Sequence, residues 1–274
     1  MPTLPESSPV PVAAVGTLNL DQVIHVPRLP ADGETVRGTS SSERPGGKGA
    51  NQARAAARVT ATALVGAVGA DAAGTLMLTD LRRAGVRTEH VLTVDEPSGR
   101  AVIEVDEVGT NRIIALGGAN GRLDPPAALA ALDHLDPAVV LTQLESPPPV
   151  TRAVANWAVA HRRRFLLNPS PVAPLPNAIL DAADPLIVNE IEAHFYGNAG
   201  RSRIVTLDAR GILVIDDDGE HPIPVEEVPT TDTTGAGDTG AGTLAAHLAD
   251  GSDLLTAATR AASAATAFVA SKGY

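Results

Sequence analysis

The sequence predicts an α/β fold in which helices cover both faces of a mostly parallel β-sheet. Two observations carry this prediction. Short apolar runs with β-rich composition alternate along the chain with Ala-rich runs of helical composition, which is the element order of parallel α/β sheets. The chain has 274 residues, 44% of them hydrophobic, so it can bury a large core as one domain or two smaller ones.

The predicted elements follow each other in the expected order. Residues 10–18 predict a buried strand, 49–59 a helix, 61–68 a strand and 73–84 a helix that ends at Gly85. Further short apolar runs predict strands at 138–144, 164–167, 186–188, 204–207 and 212–216.

The last long segment, 237–271, predicts two helices broken at Gly251, with Ser252 or Asp253 as the N-cap of the second. Two other segments do not fit the alternation. Residues 22–44 are polar and include Pro27, Pro30 and Gly33, and residues 100–116 alternate like a hairpin with one solvated face. Together they predict a small accessory sheet that projects from the main domain.

Composition excludes several classes of partner. The net charge is −11 and there is no long basic run, so nucleic acid and anionic membrane surfaces are not expected partners. No cysteine is present, which excludes disulfides and thiolate metal sites. No segment reads as a signal peptide or a membrane span. We expect a cytoplasmic location.

Residues 232–238 have the sequence DTTGAGD and run into an Ala-rich stretch. Backbone N–H groups at a helix start hold anions, and an acid beside them can take a proton from a hydroxyl. This pattern indicates a phosphoryl-transfer site. The alternative is that Asp238 is only a cap at the helix start.

Gly235, Gly237 and Gly240 also match the dinucleotide-binding pattern G-x-G-x-x-G. That pattern belongs in a βαβ unit with a following strand. Here an Ala-rich helical stretch follows instead, so a Rossmann-type dehydrogenase is a remote alternative.

Residues 46–52 have the sequence GGKGANQ. A phosphate-binding P-loop requires Ser or Thr after the lysine and Gly at position 42, where this chain has Gly49 and Ser42. The segment is therefore not a P-loop. Its glycines still permit a ligand to approach the backbone closely, although a plain glycine turn with a solvated Lys48 explains the segment equally well.

These two segments, 47–52 and 232–238, resemble the two signatures of the PfkB, or ribokinase-like, carbohydrate kinase family. Further segments resemble the family in the same order, namely 16–21, 30–35, 118–120, 143–145, 168–171 and 189–192. The resemblance implies a ribokinase-like three-layer sandwich of residues 1–274 as a single domain. It also implies a β-sheet lid formed by segments at about 22–46 and 98–117, through which the chain would form a homodimer.

The resemblance implies a role for each matching residue. Asp238 would be the catalytic base, and the N–H groups of Gly235, Ala236 and Gly237 would form the anion hole. Residues implied to bind the sugar are Asn19, Asp21, Gly47, Lys48, Asn51, Glu145 and Asp238. Residues implied to bind the nucleotide are Asn189, Thr206, Asp208, Gly211, Gly237 and Ser263. Without the resemblance, Asn19 and Asp21 read as turn formers, Glu145 as a loop acid and Glu192 as part of an acidic helix start.

The implied cofactors are ATP and Mg²⁺, with Glu192 acting on Mg²⁺ through water. Asp232 and Thr234 are a candidate K⁺ site. The implied reaction transfers the γ-phosphate to the primary hydroxyl of a pentose, with D-ribose favoured; another sugar or a nucleoside is the alternative acceptor.

The sequence departs from the family pattern on the nucleotide side. Asp208 stands where the family usually has Gly, Gly240 where it usually has Phe, and the segment between Asn189 and Thr206 is short. The family also continues past position 274, with residues that help to form the cation site and the adenine pocket. These departures define a second hypothesis, a sugar-binding protein with impaired use of ATP.

Overall fold

The structure is a computed structural model that describes residues 10–229 and 233–272. Elements are numbered along the chain. The strands of the central sheet are β1 (Val12–Val15), β4 (Thr62–Gly69), β5 (Val86–Arg87), β6 (Val91–Val94), β9 (Val139–Gln143), β10 (Arg164–Asn168), β11 (Leu186–Asn189), β12 (Arg203–Thr206), β13 (Ile212–Asp216) and β14 (Gly219–Ile223). The helices are α1 (Lys48–Ala57), α2 (Ala72–Arg83), α3 (Pro125–Leu135), α4 (Pro148–Ala160), α5 (Asn177–Ala182), α6 (Glu190–Tyr196), α7 (Ala236–Ala249) and α8 (Leu254–Ser271).

The central sheet is parallel except at one edge. Its order is β14-β13-β12-β11-β10-β9-β1-β4-β5, with β6 also paired to β4, and only the β12-β13 and β13-β14 pairs among these are antiparallel. The chain runs outward from β1 to β4 on one side and from β9 to β12 on the other. The strand order therefore reverses between β1 and β9, and ligands of such sheets bind at the carboxyl ends of strands at this point.

Alternate residues of β1 face opposite sides of the sheet, as the pleat requires. Ala13 and Val15 belong to a cluster formed with α3, α4 and α5, whereas Val12 packs with α7 and α8. All four residues of β1 are fully buried. The result is the predicted three-layer arrangement, with helices on both faces of the sheet.

A separate four-stranded sheet has the order β3-β2-β7-β8, where β2 is Asn19–His25, β3 is Ser40–Gly46, β7 is Gly99–Val105 and β8 is Asn111–Leu116. It combines the two segments that the sequence singled out. The 100–116 hairpin is present, and β7 pairs antiparallel with β8. All six residues of the edge strand β8 are exposed, so this strand has two solvated faces rather than the expected one.

Helices α1 and α7 cross at very close range. A Cβ atom at Gly242 would lie 2.1 Å from the carbonyl oxygen of Gln52, so only glycine permits this approach. The crossing brings the start of α1 against the start of α7.

Asp253 accepts from the N–H of Thr256 at 2.8 Å and is the N-cap of α8, which decides between the two predicted caps.

Within the described ranges, no helix is long and apolar enough to cross a bilayer.

Candidate active site

The carboxyl ends of the central strands gather the predicted polar residues. Thr17 and Asn19 follow β1, Glu145 follows β9 and Asn168 ends β10. The starts of α1 and α7 face the same region. Because the strand order reverses between β1 and β9, this is the edge where the topology predicts a ligand.

Asp238 lies in the first turn of α7 and is 8% exposed. Its Oδ2 accepts from Nδ2 of Asn51 at 3.1 Å, and its Oδ1 accepts from Nε2 of Gln52 at 3.0 Å. Both donors belong to α1. The two predicted signatures, far apart in sequence, therefore meet at this carboxylate, which both amides hold in place.

Gln52 was not predicted as a site residue, and its side chain is fully buried. Its Nε2 also donates to Oδ1 of Asn168 at 3.2 Å, and its Oε1 accepts from Nε2 of Gln143. Asn168 in turn donates to the carbonyl oxygen of Ile187 at 3.0 Å. A chain of amides from three elements therefore fixes Asp238. The only sequence signal was that Gln52 directly follows Asn51 in the glycine-rich segment.

Glu145 joins the loop after β9 to the starts of β2 and α1. Its Oε2 accepts from the hydroxyl of Thr17 and from the backbone N–H of Lys48 at 3.2 Å. Gly47 precedes this N–H with φ +89°, a conformation that favours glycine. Glu145 is therefore a partly buried acid held at the site rather than a solvated loop residue.

Asn19 is fixed by a residue that the site prediction omitted. Asn120, which is 4% exposed, donates from Nδ2 to Oδ1 of Asn19 and to the carbonyl oxygen of Leu18, both at 2.9 Å. Its Oδ1 accepts from the N–H of Leu18 at 2.9 Å. Asn120 thereby connects the segment after β8 with β2, the strand that begins at Asn19.

Asp21 is a partly buried acid with an altered acidity. Burial raises the pKa of its carboxyl from 3.8 to about 6, and the nearby acids Glu145 and Asp238 add to this rise. Arg44 and Arg54 oppose it. A carboxyl in this environment titrates near neutral pH, so its power to accept hydrogen bonds from a ligand depends on pH.

The predicted anion hole is only partly available in this structure. The N–H of Ala236 donates to the carbonyl oxygen of Thr233 at 3.0 Å, so it can serve an anion only if this turn opens. Gly237 lies in the first turn of α7, where N–H groups lack intrahelical acceptors. A Cβ atom at Gly237 would meet no atom of the described residues within 4 Å, which leaves room beside this N–H for a ligand.

A cleft of about 730 Å³ opens on the other side of Gly237. Its walls come from the ends of β11 and β12, the segment after β14, and the helices α7 and α8. Five of the six predicted nucleotide-binding residues line it: Asn189, Thr206, Asp208, Gly211 and Gly237. Its volume is in the range of cofactor sites, which span roughly 300 to 1,000 Å³.

Ser263 is the exception, and the geometry contradicts its predicted role. Its side chain is exposed, donates to the carbonyl oxygen of Thr259 at 3.0 Å and does not line the cleft. Ala262 and Thr266 line the cleft instead, because they lie on the face of α8 that packs towards α7. The predicted helix is present, but the face of it that lines the cleft was not predicted.

Asp208 has a positive φ of +50°. This left-handed conformation favours glycine and is tolerated by Asp, which explains why the position suits a glycine in the family pattern. The residue is exposed at the cleft. A carboxylate therefore borders the space predicted for nucleotide phosphates.

Asn189 and Glu192 form a capping box at the start of α6. Oδ1 of Asn189 accepts from the N–H of Glu192 at 2.8 Å, and Oε2 of Glu192 accepts from the N–H of Asn189 at 2.9 Å. Glu192 is 5% exposed. Asn189 lines the cleft, whereas Glu192 is buried beside it in the capping box and is not among the lining residues. An amide and a carboxylate are oxygen donors of the kind that suit a Mg²⁺ ion that keeps most of its waters.

The candidate K⁺ site at Asp232 and Thr234 stays a prediction. Asp232 lies outside the described residues. The carbonyl oxygen of Thr234 accepts from Nζ of Lys272 at 2.6 Å, so an ammonium group is already bound to the oxygen that a monovalent cation would use.

The geometry also counts against the dinucleotide alternative. The segment from Gly235 to Gly240 opens α7, which is followed by α8, and no strand follows them in the described part of the chain. The βαβ unit that the glycine pattern requires is therefore missing there.

Comparison with known proteins agrees with this geometry. A sequence profile of the family described as pfkB family carbohydrate kinase matches residues 11–274. A ribokinase of Bacillus subtilis is 37% identical, and the match covers 96% of this chain and 94% of that protein. The structure of a ribokinase from Thermotoga maritima superposes with a TM-score of 0.87 at 29% identity, covering 95% of this chain and 93% of the other. An Arabidopsis thaliana ribokinase, solved with ribose and ATP, has a TM-score of 0.84 at 30% identity, covering 97% and 94%.

Proposed function

Since the chain belongs to the pfkB family of carbohydrate kinases, we propose that it transfers the γ-phosphoryl group of ATP to the primary hydroxyl of D-ribose, forming ribose 5-phosphate and ADP. The observation that carries this proposal is the meeting of Asn51, Gln52 and Asp238 between the polar strand ends and the cleft. Ribose and ATP are named because a similar ribokinase was solved with both.

Asp238 acts as the general base in this proposal. The primary hydroxyl gives its proton to the carboxylate as its oxygen forms a bond to the γ-phosphorus, and the bond from that phosphorus to the bridging oxygen breaks to release ADP. Such transfers depend on positioning and charge stabilisation more than on covalent chemistry. The hydrogen bonds from the side-chain amides of Asn51 and Gln52 hold the carboxylate in position for this step.

The sugar contacts Asn19, Asp21, Gly47, Lys48, Asn51 and Glu145 in this proposal. Several convergent acids and amides are what a polyol requires, because each hydroxyl both donates and accepts. The N–H groups of Gly235, Gly237 and, once its turn opens, Ala236 stabilise the charge on the transferred group.

The nucleotide occupies the cleft and contacts Asn189, Thr206, Gly211 and the backbone of Asp208. Asn189 and Glu192 would hold the waters of a Mg²⁺ ion, and such an ion would neutralise phosphate charge. No step is assigned to K⁺.

The four-stranded sheet acts as a lid that excludes water from the reaction. We also propose that it forms the interface of a homodimer. Ile113, Ile114 and Leu116 on β8 are 59%, 59% and 54% exposed, and an apolar edge strand of this kind is unfavourable in a monomer. Sedimentation of the protein and of an Ile113→Lys variant tests this: a dimer that becomes a monomer supports it. A cytoplasmic location, where ATP is available, completes the proposal.

A coupled assay of ADP release over a panel of pentoses, hexoses and nucleosides tests the proposed reaction. Turnover that is greatest with D-ribose supports it. Turnover confined to a hexose or a nucleoside would reassign the acceptor. The exposed carboxylate of Asp208 at the cleft favours one further candidate, a sugar-binding protein with impaired ATP use; tight ribose binding by calorimetry without turnover would support that candidate instead.

A further inference from the structure

Arg54 connects Asn51, on the sugar side of the site, to an acid on helix α2. The proposed mechanism assigns Arg54 no role. It lies one turn after Asn51 on α1, so the two side chains share a helix face. Its Nη1 donates to Oδ1 of Asn51 at 2.8 Å, and its Nε donates to Oδ2 of Asp80 on α2 at 2.7 Å. Asp80, Arg54, Asn51 and Asp238 thus form an unbroken series of contacts.

The chemistry of these groups allows only one orientation of the Asn51 amide. A guanidinium can only donate and a carboxylate can only accept. The oxygen of Asn51 must therefore face Arg54, and its NH₂ group must face Asp238. Without Arg54, nothing among these contacts would hold the oxygen, and the amide could rotate away from the base.

Burial of Arg54 is costly, which argues against an incidental surface pair. The side chain is 21% exposed. Its Nη2 is buried and has no hydrogen-bond partner among the described residues. A buried donor without a partner is unfavourable, and an apolar residue on this helix face would avoid that cost.

We propose that Arg54 is a positioning residue, which fixes the amide of Asn51 so that it donates to the base Asp238 and presents its remaining N–H to the sugar. Asp80 holds Arg54 in place. This inference rests on the proposed sugar kinase activity for its kinetic consequences, but the orientation of Asn51 can be observed without turnover.

Arg163 provides a matched control. It also pairs with an acid, Asp136, across a 2.5 Å contact, and it also has a buried nitrogen without a partner among the described residues. It lies between α4 and β10, at the amino end of that strand and away from the site. Arg163→Met therefore reports what losing such a pair does to stability alone.

The kinetic test compares Arg54→Met, Arg54→Lys and Arg163→Met. In Arg54→Met we expect KM for ribose to rise and kcat to fall by about tenfold each, the size of one lost charge-assisted hydrogen bond, with KM for ATP within about twofold of the original. Arg54→Lys should restore little, because one ammonium cannot bond to Asn51 and Asp80 in the same fork. Arg163→Met should change only the melting temperature. Kinetics of Arg54→Met that match those of Arg163→Met would overturn the proposal.

The pH profile supplies a second readout that lost stability would not move. Arg54 and Arg44 lower the pKa of Asp21, whereas Glu145 and Asp238 raise it. Removing the charge of Arg54 should therefore shift the acidic limb of kcat/KM for ribose to higher pH in Arg54→Met and not in Arg54→Lys. An unchanged limb in Arg54→Met would contradict the placement of this charge at the sugar site.

The orientation itself is observable by NMR of the ¹⁵N-labelled protein, with Asn51→Ala used to assign the side-chain NH₂ signal. We expect this signal to move and its protons to exchange faster in Arg54→Met, and to stay unchanged in Arg163→Met. An unchanged signal overturns the proposal about Arg54. A changed signal in a protein that phosphorylates no sugar would sustain it and reject the proposed function, so the two failures are distinguishable.

Discussion

Nε2 of Gln52 donates to Oδ1 of Asp238 at 3.0 Å, from a side chain that is fully buried between α1 and the sheet. The contact joins two parts of the chain that are 186 positions apart. It exists because the backbone of Gln52 touches α7 at Gly242, where any side chain would separate the two helices. The position of the proposed base Asp238 therefore depends on the close packing of α1 against α7.

We expect Gln52→Leu to impair both stability and catalysis. The change removes a donor from Asp238 and Asn168 and leaves the Nε2 of Gln143 without its acceptor. One buried group left unsatisfied costs about 1–3 kcal/mol. Urea unfolding should show this loss of stability, and kcat should fall while KM for ATP stays the same. Thr151→Val is the control, because it also removes a buried polar group but on α4. It should lower stability without lowering kcat.

Asp238→Asn should separate catalysis from binding. The amide keeps the shape of the carboxylate but cannot take the hydroxyl proton, so we expect kcat to fall by roughly 10²-fold or more. Calorimetry should still detect ribose binding. A variant with near-normal kcat would remove Asp238 from the role of base.

Asp21→Asn should make the unliganded protein more stable at pH 7 and weaken sugar binding. The folded pKa of about 6 lies above the ordinary 3.8, so the folded state holds its proton more tightly. The contribution of this carboxyl is therefore most favourable below pH 4 and is lost as pH rises through 6. Thermal melts at pH 5 and pH 7 should show that the stabilising effect of Asp21→Asn is larger at pH 7.

The same carboxyl predicts how ribose affinity depends on pH. The ionised form accepts hydrogen bonds from sugar hydroxyls, whereas the protonated form has one oxygen committed as a donor. Calorimetric affinity for ribose should therefore fall as pH is lowered through 6 in the original protein and stay flat in Asp21→Asn. A flat profile in both proteins would mean that Asp21 does not contact the sugar.

Asp208→Gly should improve the use of ATP. Glycine suits the φ of +50° at this position, and the change removes a carboxylate beside the phosphates. An exposed charge contributes about 0–1 kcal/mol, so we expect KM for ATP to fall by up to about fivefold. Asp208→Asn separates the two causes, because it removes the charge and keeps a side chain that tolerates this backbone. A KM for ATP that rises in both variants would mean that the carboxylate of Asp208 binds the nucleotide.

The sequence was sufficient for the fold and for the two segments that form the site. The apolar run at 138–144 contains the strand Val139–Gln143, whose residues are all buried, because burial on both faces leaves an uninterrupted hydrophobic signal. The run at 212–216 also forms a strand. The strand predicted over 10–18 ends at Val15, and the chain then enters the four-stranded sheet at Asn19. Composition alone does not register that change of direction.

Contacts between distant residues explain what the sequence did not predict. Gln143 and Asn168 hold Gln52 through bonds that span more than 90 positions, and no local pattern distinguishes them from ordinary polar strand ends. Ser263 was misplaced because one position along a helix rotates a side chain by about 100°. No sequence pattern around Asp21 predicts its raised pKa, because that pKa arises from burial in the folded chain.

Glu192→Gln should distinguish a structural role of Glu192 from a role with Mg²⁺. The capping box needs only an acceptor for the N–H of Asn189, and the amide oxygen of Gln supplies one, so stability should stay within about 0.5 kcal/mol of the original. The lost charge should raise the Mg²⁺ concentration needed for half-maximal activity. Glu192→Ala is the matched control: it removes the cap as well and should cost about 1 kcal/mol in urea unfolding. If Glu192→Gln keeps the Mg²⁺ dependence of the original protein, the residue serves only to start α6.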